Sequence, residues 1–184
     1  MRTRHVLALL VALAAPGASA QPLKGAPAPG PGMGVRVDPR GVVTVDDVAL
    51  GFKLVLPKGA QVVPGAMTGD LAYVFSLPAP AGTTVAVQRL GRRIARQFTE
   101  ADAAKVKPLP PGMQLVPGQW RGLPLMVLRV EQATPQGAFV DYGAGIPLKR
   151  EGIQLHVAGP RANDEQLKTL LAELLLRLTG EPAK

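Results

Sequence analysis

Asp164 to Leu178 reads DEQLKTLLAELLLRL, and its spacing decides the fold. Leu167, Leu170, Leu171, Leu174, Leu175 and Leu178 fall at i, i+3, i+4, i+7, i+8 and i+11, a single apolar stripe on a helix. Asp164 and Glu165 stand at the positive end of its dipole, and Asn163 or Asp164 can cap its start. Gly180 can end it. Burying the leucine stripe at about 2 kcal/mol per side chain is worth on the order of 10 kcal/mol gross. That is as large as the net stability of a typical domain. This helix is therefore core, and it needs a sheet to lie on. Leu176 points about 180° from the stripe, so it is expected to be exposed or to pack on something outside the domain.

Upstream, the period changes from that of a helix to that of a strand. Phe52, Leu54 and Leu56 alternate with Lys53 and Val55 until Pro57-Lys58-Gly59 stops the run. Leu71, Tyr73, Phe75 and Leu77 alternate up to Pro78, and Val85 and Val87 do so before Arg89. Leu125 to Val130 (LMVLRV) is apolar on both faces, which predicts a central strand covered on both sides. Ala138 to Tyr142 and Ile153 to Val157 complete the set. The links Trp120-Arg121-Gly122, Thr134-Pro135-Gln136-Gly137 and Arg150-Glu151-Gly152 are too short for parallel crossovers, so neighbours should pair antiparallel. A second helix is expected over Glu100 to Lys107, opened by the capping-box-like Thr99-Glu-Ala-Asp and stopped by Pro108. Helical spacing of Leu90, Ile94, Phe98 and Ala101 would extend it back to Arg92. The expected class is α+β: a mainly antiparallel sheet of about six or seven strands, packed by the C-terminal amphipathic helix and a short middle helix.

The N-terminus reads as an export signal. Arg2 and Arg4 make a positive n-region, Val6 to Ala15 is an unbroken apolar run, and Ala18-Ser19-Ala20 offers a cleavage site. The run is shorter than the roughly 20 residues a permanent span needs. Residues 1–20 are thus expected to be a cleavable signal peptide, and 21–41 a Pro/Gly-rich linker. Residues 42–180 form a single domain, and 181–184 a tail. The protein is expected to be exported, periplasmic or secreted, with no membrane span once the signal is removed. The chain contains no cysteine, which excludes disulfides, thiolate chemistry and lipidation at a cysteine. Net charge is +8, and loss of Arg2 and Arg4 leaves +6. That favours anionic partners or serves solubility alone.

The element order resembles a known architecture. GFKLVLP (51–57) is followed by a meander and by a short helix after TEAD (99–102). A hairpin around VPGQWRGLPLMVLRV (116–130) comes next, then GIPLKREGIQLHVAGP (145–160) and the leucine helix. This is similar to the PsbP-like α/β/α fold, named for an extrinsic lumenal subunit of photosystem II. It also resembles small exported bacterial proteins of that shape. The resemblance covers about Gly51 to Gly180 and implies a domain that binds other proteins and is not an enzyme. It carries over no docking motif or metal ligand.

Chemistry-bearing residues are few. Beyond residue 20 there is one histidine, His156, and one serine, Ser76. Ser76 lies in Val-Phe-Ser-Leu-Pro without the Gly-x-Ser-x-Gly elbow. It alternates out of phase with Tyr73, Phe75 and Leu77. His156 alternates out of phase with Ile153, Leu155 and Val157, as a hydrogen-bonded or solvated strand histidine would. One histidine without cysteine excludes the common zinc patterns, and Asp46-Asp47 suits a turn better than a calcium loop. No phosphate-cradling glycine motif occurs, so no catalytic residue, metal or cofactor is expected.

Two surfaces remain as candidates. Arg89, Arg92, Arg93 and Arg96 would share one helical face as an anion-binding patch, or else form a solvated charged loop. Trp120 and Arg121, at a hairpin tip, would anchor a partner, or the tryptophan would be half-buried against its own sheet. The leading expectation is a non-enzymatic interaction module binding a protein partner in the cell envelope through Trp120, Arg121 and Leu176. The alternative is an anionic envelope polymer held by the Arg89–Arg96 cluster, and a hydrolase built on Ser76 and His156 comes third. Nucleic acid is not expected, because aromatics for stacking are few.

Overall fold

The computed structural model describes residues 33–63, 70–91 and 108–183. The leucine stripe forms the helix α1 (Asp164–Arg177), and Leu167, Leu170, Leu171, Leu174 and Leu175 are all buried. The helix stops one residue earlier than its spacing suggests. Leu178 is already extended, its N–H still bonded to the Leu174 carbonyl, and the chain passes directly into a strand. Leu178 stays buried there, so the stripe is continued by a strand residue and needs no glycine stop.

Eleven strands among the described residues form two antiparallel sheets. The smaller contains β1 (Met33–Val37), β2 (Val43–Asp47), β3 (Phe52–Val55) and β11 (Leu178–Gly180), in the order β1-β2-β3-β11. The larger contains β4 (Gln61–Val62), β5 (Leu71–Leu77), β6 (Thr83–Gly91), β7 (Met113–Trp120), β8 (Leu123–Thr134), β9 (Gly137–Ile146) and β10 (Gly152–Pro160). Its order is β4-β5-β6-β10-β9-β8-β7. Two antiparallel pieces, β4 to β6 and β7 to β10, are thus joined through the β6–β10 pairing.

The short links act as expected. Arg121 and Gly122 turn the β7–β8 hairpin with φ of 50° and 80°, the left-handed pair a two-residue hairpin turn requires. The centre of the sheet lies elsewhere than expected. Leu125–Val130 belongs to β8, one strand in from the β7 edge, and the central strand is β10. The alternating Ile153 to Val157 run occupies the middle, with Ile153, Leu155 and Val157 buried on the core face and Gln154 and His156 on the far one.

α1 and the small sheet share one face of the large sheet. That face presents Tyr73, Phe75, Val85, Val87, Leu155, Val157, Tyr142, Ala144 and Val127, aligned by the strand register. Val43, Val45, Phe52 and Leu54 of the small sheet join the same core. Phe52 meets Tyr73 edge to face, with ring centroids 6.1 Å apart.

Two boundaries move. Residues 33–37, expected inside the linker, form β1 along β2, with Val35 opposite Val45. The expected tail is docked: Leu148 bridges Pro182, and the N–H groups of Lys149 and Ala183 donate to the carbonyls of Glu181 and Pro147. Backbone hydrogen bonding, invisible to apolar patterning, sets both. The middle helix expected over 100–107 lies outside the described residues, as do the signal peptide and residues 21–32 of the linker. No helix among the described residues is long and apolar enough to cross a membrane.

Leu174 is wholly buried and Leu176 is 83 % exposed on the same helix. Leu174→Ala should therefore cost about 2–5 kcal/mol, and Leu174→Asp or Leu171→Asp should abolish the folded state. Leu176→Asp should stay within about 0.5 kcal/mol of wild type. Urea denaturation followed by circular dichroism checks all four. A soluble, cooperatively folded Leu171→Asp/Leu174→Asp protein would contradict the docking of α1.

Candidate functional site

The first turn of α1 carries the densest polar cluster on the core side. Asn163 occupies the N-cap position but makes no capping bond with its side chain; its amide donates instead to the Ala81 carbonyl at 3.3 Å. Asp164 does not cap either. Its carboxylate takes Arg129 Nη2 at 2.5 Å and the Tyr142 hydroxyl at 2.5 Å. Arg129 also donates to Glu131 at 3.0 Å, and Arg161 reaches Glu131 at 3.1 Å. The register explains the meeting: Arg129 on β8 lies opposite Tyr142 on β9, both facing the helix. The Arg129 guanidinium holds the Asp164 carboxyl below the usual carboxylate range. Burial, then the bond to Asp164, pushes the Tyr142 hydroxyl up to about 12. Two cations and two carboxylates neutralise one another here, so the cluster fastens the helix and leaves no unbalanced charge for a ligand.

The far face of the large sheet holds the other polar group. His156 Nδ1 lies 3.0 and 3.3 Å from the two carboxylate oxygens of Asp141. A carboxylate only accepts, so Nδ1 carries the proton and the ring's orientation is fixed. Nε2 is buried with no hydrogen-bond partner. Gly143 makes room for this pair: a Cβ there would sit 2.6 Å from the Gln154 amide nitrogen and 3.3 Å from the His156 ring. Histidine oriented by aspartate is half of a general-base arrangement, and the other half expected here is Ser76. Ser76 pairs with Thr84, and His156 with Ala86, from opposite sides of β6. They stand two strand spacings apart, about 9–10 Å, before the offset along the strands is added. The Ser76–His156 hydrolase site does not form. Nor, among the described residues, does any group of three or more His, Cys, Asp or Glu side chains gather where a metal ion could be held.

The expected contact residues fare differently from one another. Trp120 is fully buried, and its Nε1 donates to the Leu178 carbonyl at 2.9 Å. This corrects its assignment to a partner surface: in the folded domain its ring is core. The hairpin does stand at a tip in sequence, but in space it folds over β11, which hides the indole. Arg121 is exposed, and its guanidinium donates to the Gly180 carbonyl at 2.7 Å. The two side chains together tie the β7–β8 hairpin to β11. Leu176 is exposed as expected. Arg89 is exposed on β6, while Arg92, Arg93 and Arg96 lie outside the described residues. Asp46 and Asp47 end strand β2 and the expected turn falls just after them, at 48–51; buried Asp47 accepts from the Leu50 N–H at 2.9 Å and from the Tyr73 hydroxyl at 2.7 Å. Asp141, Arg129 and Tyr142 escaped sequence reasoning, because only the strand register brings them to their partners.

No protein-family model matches the chain, and no curated protein matches it. Its shape is similar to the solution structure of cyanobacterial PsbP (CyanoP) from Synechocystis sp. PCC 6803. The TM-score is 0.54 at 13% identity, covering 78% of this chain and 95% of that one. The fold is PsbP-like. The PsbP-like arrangement here is the mostly antiparallel sheet with the C-terminal helix against it. At this identity the likeness concerns architecture and assigns no site.

The Asp164 network should make stability depend on acid. A depressed carboxyl contributes fully above its unfolded value of about 4 and loses that contribution as pH falls through the folded value. Asp164→Asn should cost about 3 kcal/mol at pH 7, because Arg129 loses its main partner. The gap from wild type should narrow progressively as pH falls below about 4. Denaturation midpoints of both proteins across pH 2–7 check this.

Trp120→Ala should cost about 3–5 kcal/mol, and Trp120→Phe about 1–3 kcal/mol, since the Leu178 carbonyl then loses its donor. Thermal melts of the two variants test the core assignment. A melting temperature for Trp120→Ala equal to that of wild type would place the indole outside the core.

Proposed function

We propose that this domain is an exported, non-catalytic interaction module that binds a protein partner in the cell envelope. The observation that carries the reading is Leu176, 83 % exposed on a helix whose other leucines are buried. On the helical wheel it stands amid Glu165, Thr169 and Ala172, which are also exposed. Val37 and Val48, at 64 %, are the next most exposed large apolar side chains. A lone exposed leucine is ordinary on a protein surface. This one sits on a helix held by five buried leucines and by the Asp164 and Trp120 ties, so it presents its apolar side chain on a rigid support. Arg121 stays in the proposed contact set, since its side chain is exposed beside β11; Trp120 leaves it.

Two further considerations support the reading. The PsbP-like fold belongs to proteins that are non-enzymatic and mostly bind other proteins. The one histidine of the domain has an orienting aspartate but no serine within reach. The apolar run and Ala18-Ser19-Ala20 support the export part of the proposal.

Affinity capture from the native envelope fraction tests the proposal, using wild type, Leu176→Glu and Arg121→Ala. Recovery of a discrete protein that falls at least about ten-fold with Leu176→Glu, while circular dichroism stays unchanged, is the expected result; hot-spot losses are typically of this size. Equal recovery by all three proteins would remove this surface. Capture that weakens as ionic strength rises and disappears on charge reversal at Arg92, Arg93 and Arg96 would move the reading to an anionic polymer. N-terminal sequencing of the exported protein should begin at Gln21, and retention of residues 1–20 would overturn the export assignment.

A further inference from the structure

We draw no further inference here: the strongest candidate, the Asp141–His156 pair beside Gln154 and Gly143 on the far face of the seven-stranded sheet, ends in a buried His156 Nε2 without a partner, and nothing in the structure shows what covers that face.

Discussion

The burial of α1 against the large sheet is the contact on which the other parts of this fold depend. Five helical leucines and Leu178 leave water together, a gross gain on the order of 10 kcal/mol. Hydrophobic burial has no direction, and a leucine stripe could slide or rotate on an apolar sheet. Polar ties at the two ends supply the direction. At the start, Asp164 is held by Arg129 and Tyr142. Just past the end, the Leu178 carbonyl is held by Trp120. Arg129 stands midway along β8 and Trp120 at the end of β7, so the ties are separated along the sheet and fix both the position and the rotation of the helix. That rotation is what leaves Leu176 outward.

The same contact recruits the small sheet. Because the helix runs straight into β11, and β11 pairs with β3, docking α1 brings the β1–β2–β3 meander over the remaining half of the large sheet's face. Val43, Val45, Phe52 and Leu54 thereby join the common core, and Tyr73 meets the buried Asp47 that accepts its hydroxyl. Burial, then that bond, raises the Tyr73 titration. The chain contains no cysteine, so no disulfide adds to these polar ties.

Periodicity made the elements legible, and register made the sites illegible. The spacing of Leu167 to Leu178 gave the helix and its buried side without any tertiary information, and the alternation of Phe52 to Leu56 and Leu71 to Leu77 gave strands. Each depends on one residue and its near neighbours. Trp120, Arg129, Asp141 and Asp164 instead take their roles from residues 15 to 58 positions away. Nothing in the local pattern says which strand lies beside which. Trp120 is the clearest case: a tryptophan before an Arg-Gly turn looks like an exposed tip until β11 is known to pass beneath it. Leu125–Val130 misled for a related reason. Its apolar far-face residues gave it the pattern of a central strand, whereas β10 carries Gln154 and His156 in the middle of the sheet because Gly143 opens space for them.

These facts bear on function through rigidity. Among the described residues, three carboxylates are committed to holding the fold: Asp164 to the helix, Asp47 to a turn and a tyrosine, Asp141 to His156. What the core side leaves free is surface on well-anchored elements. A preformed apolar contact on a rigid helix loses little conformational freedom when a partner covers it, and preorganisation of that kind is how a modest patch gains affinity. Leu176 is fixed in space by leucines on the opposite side of the same helix, so the force that folds the domain also presents the most exposed large apolar side chain among the described residues.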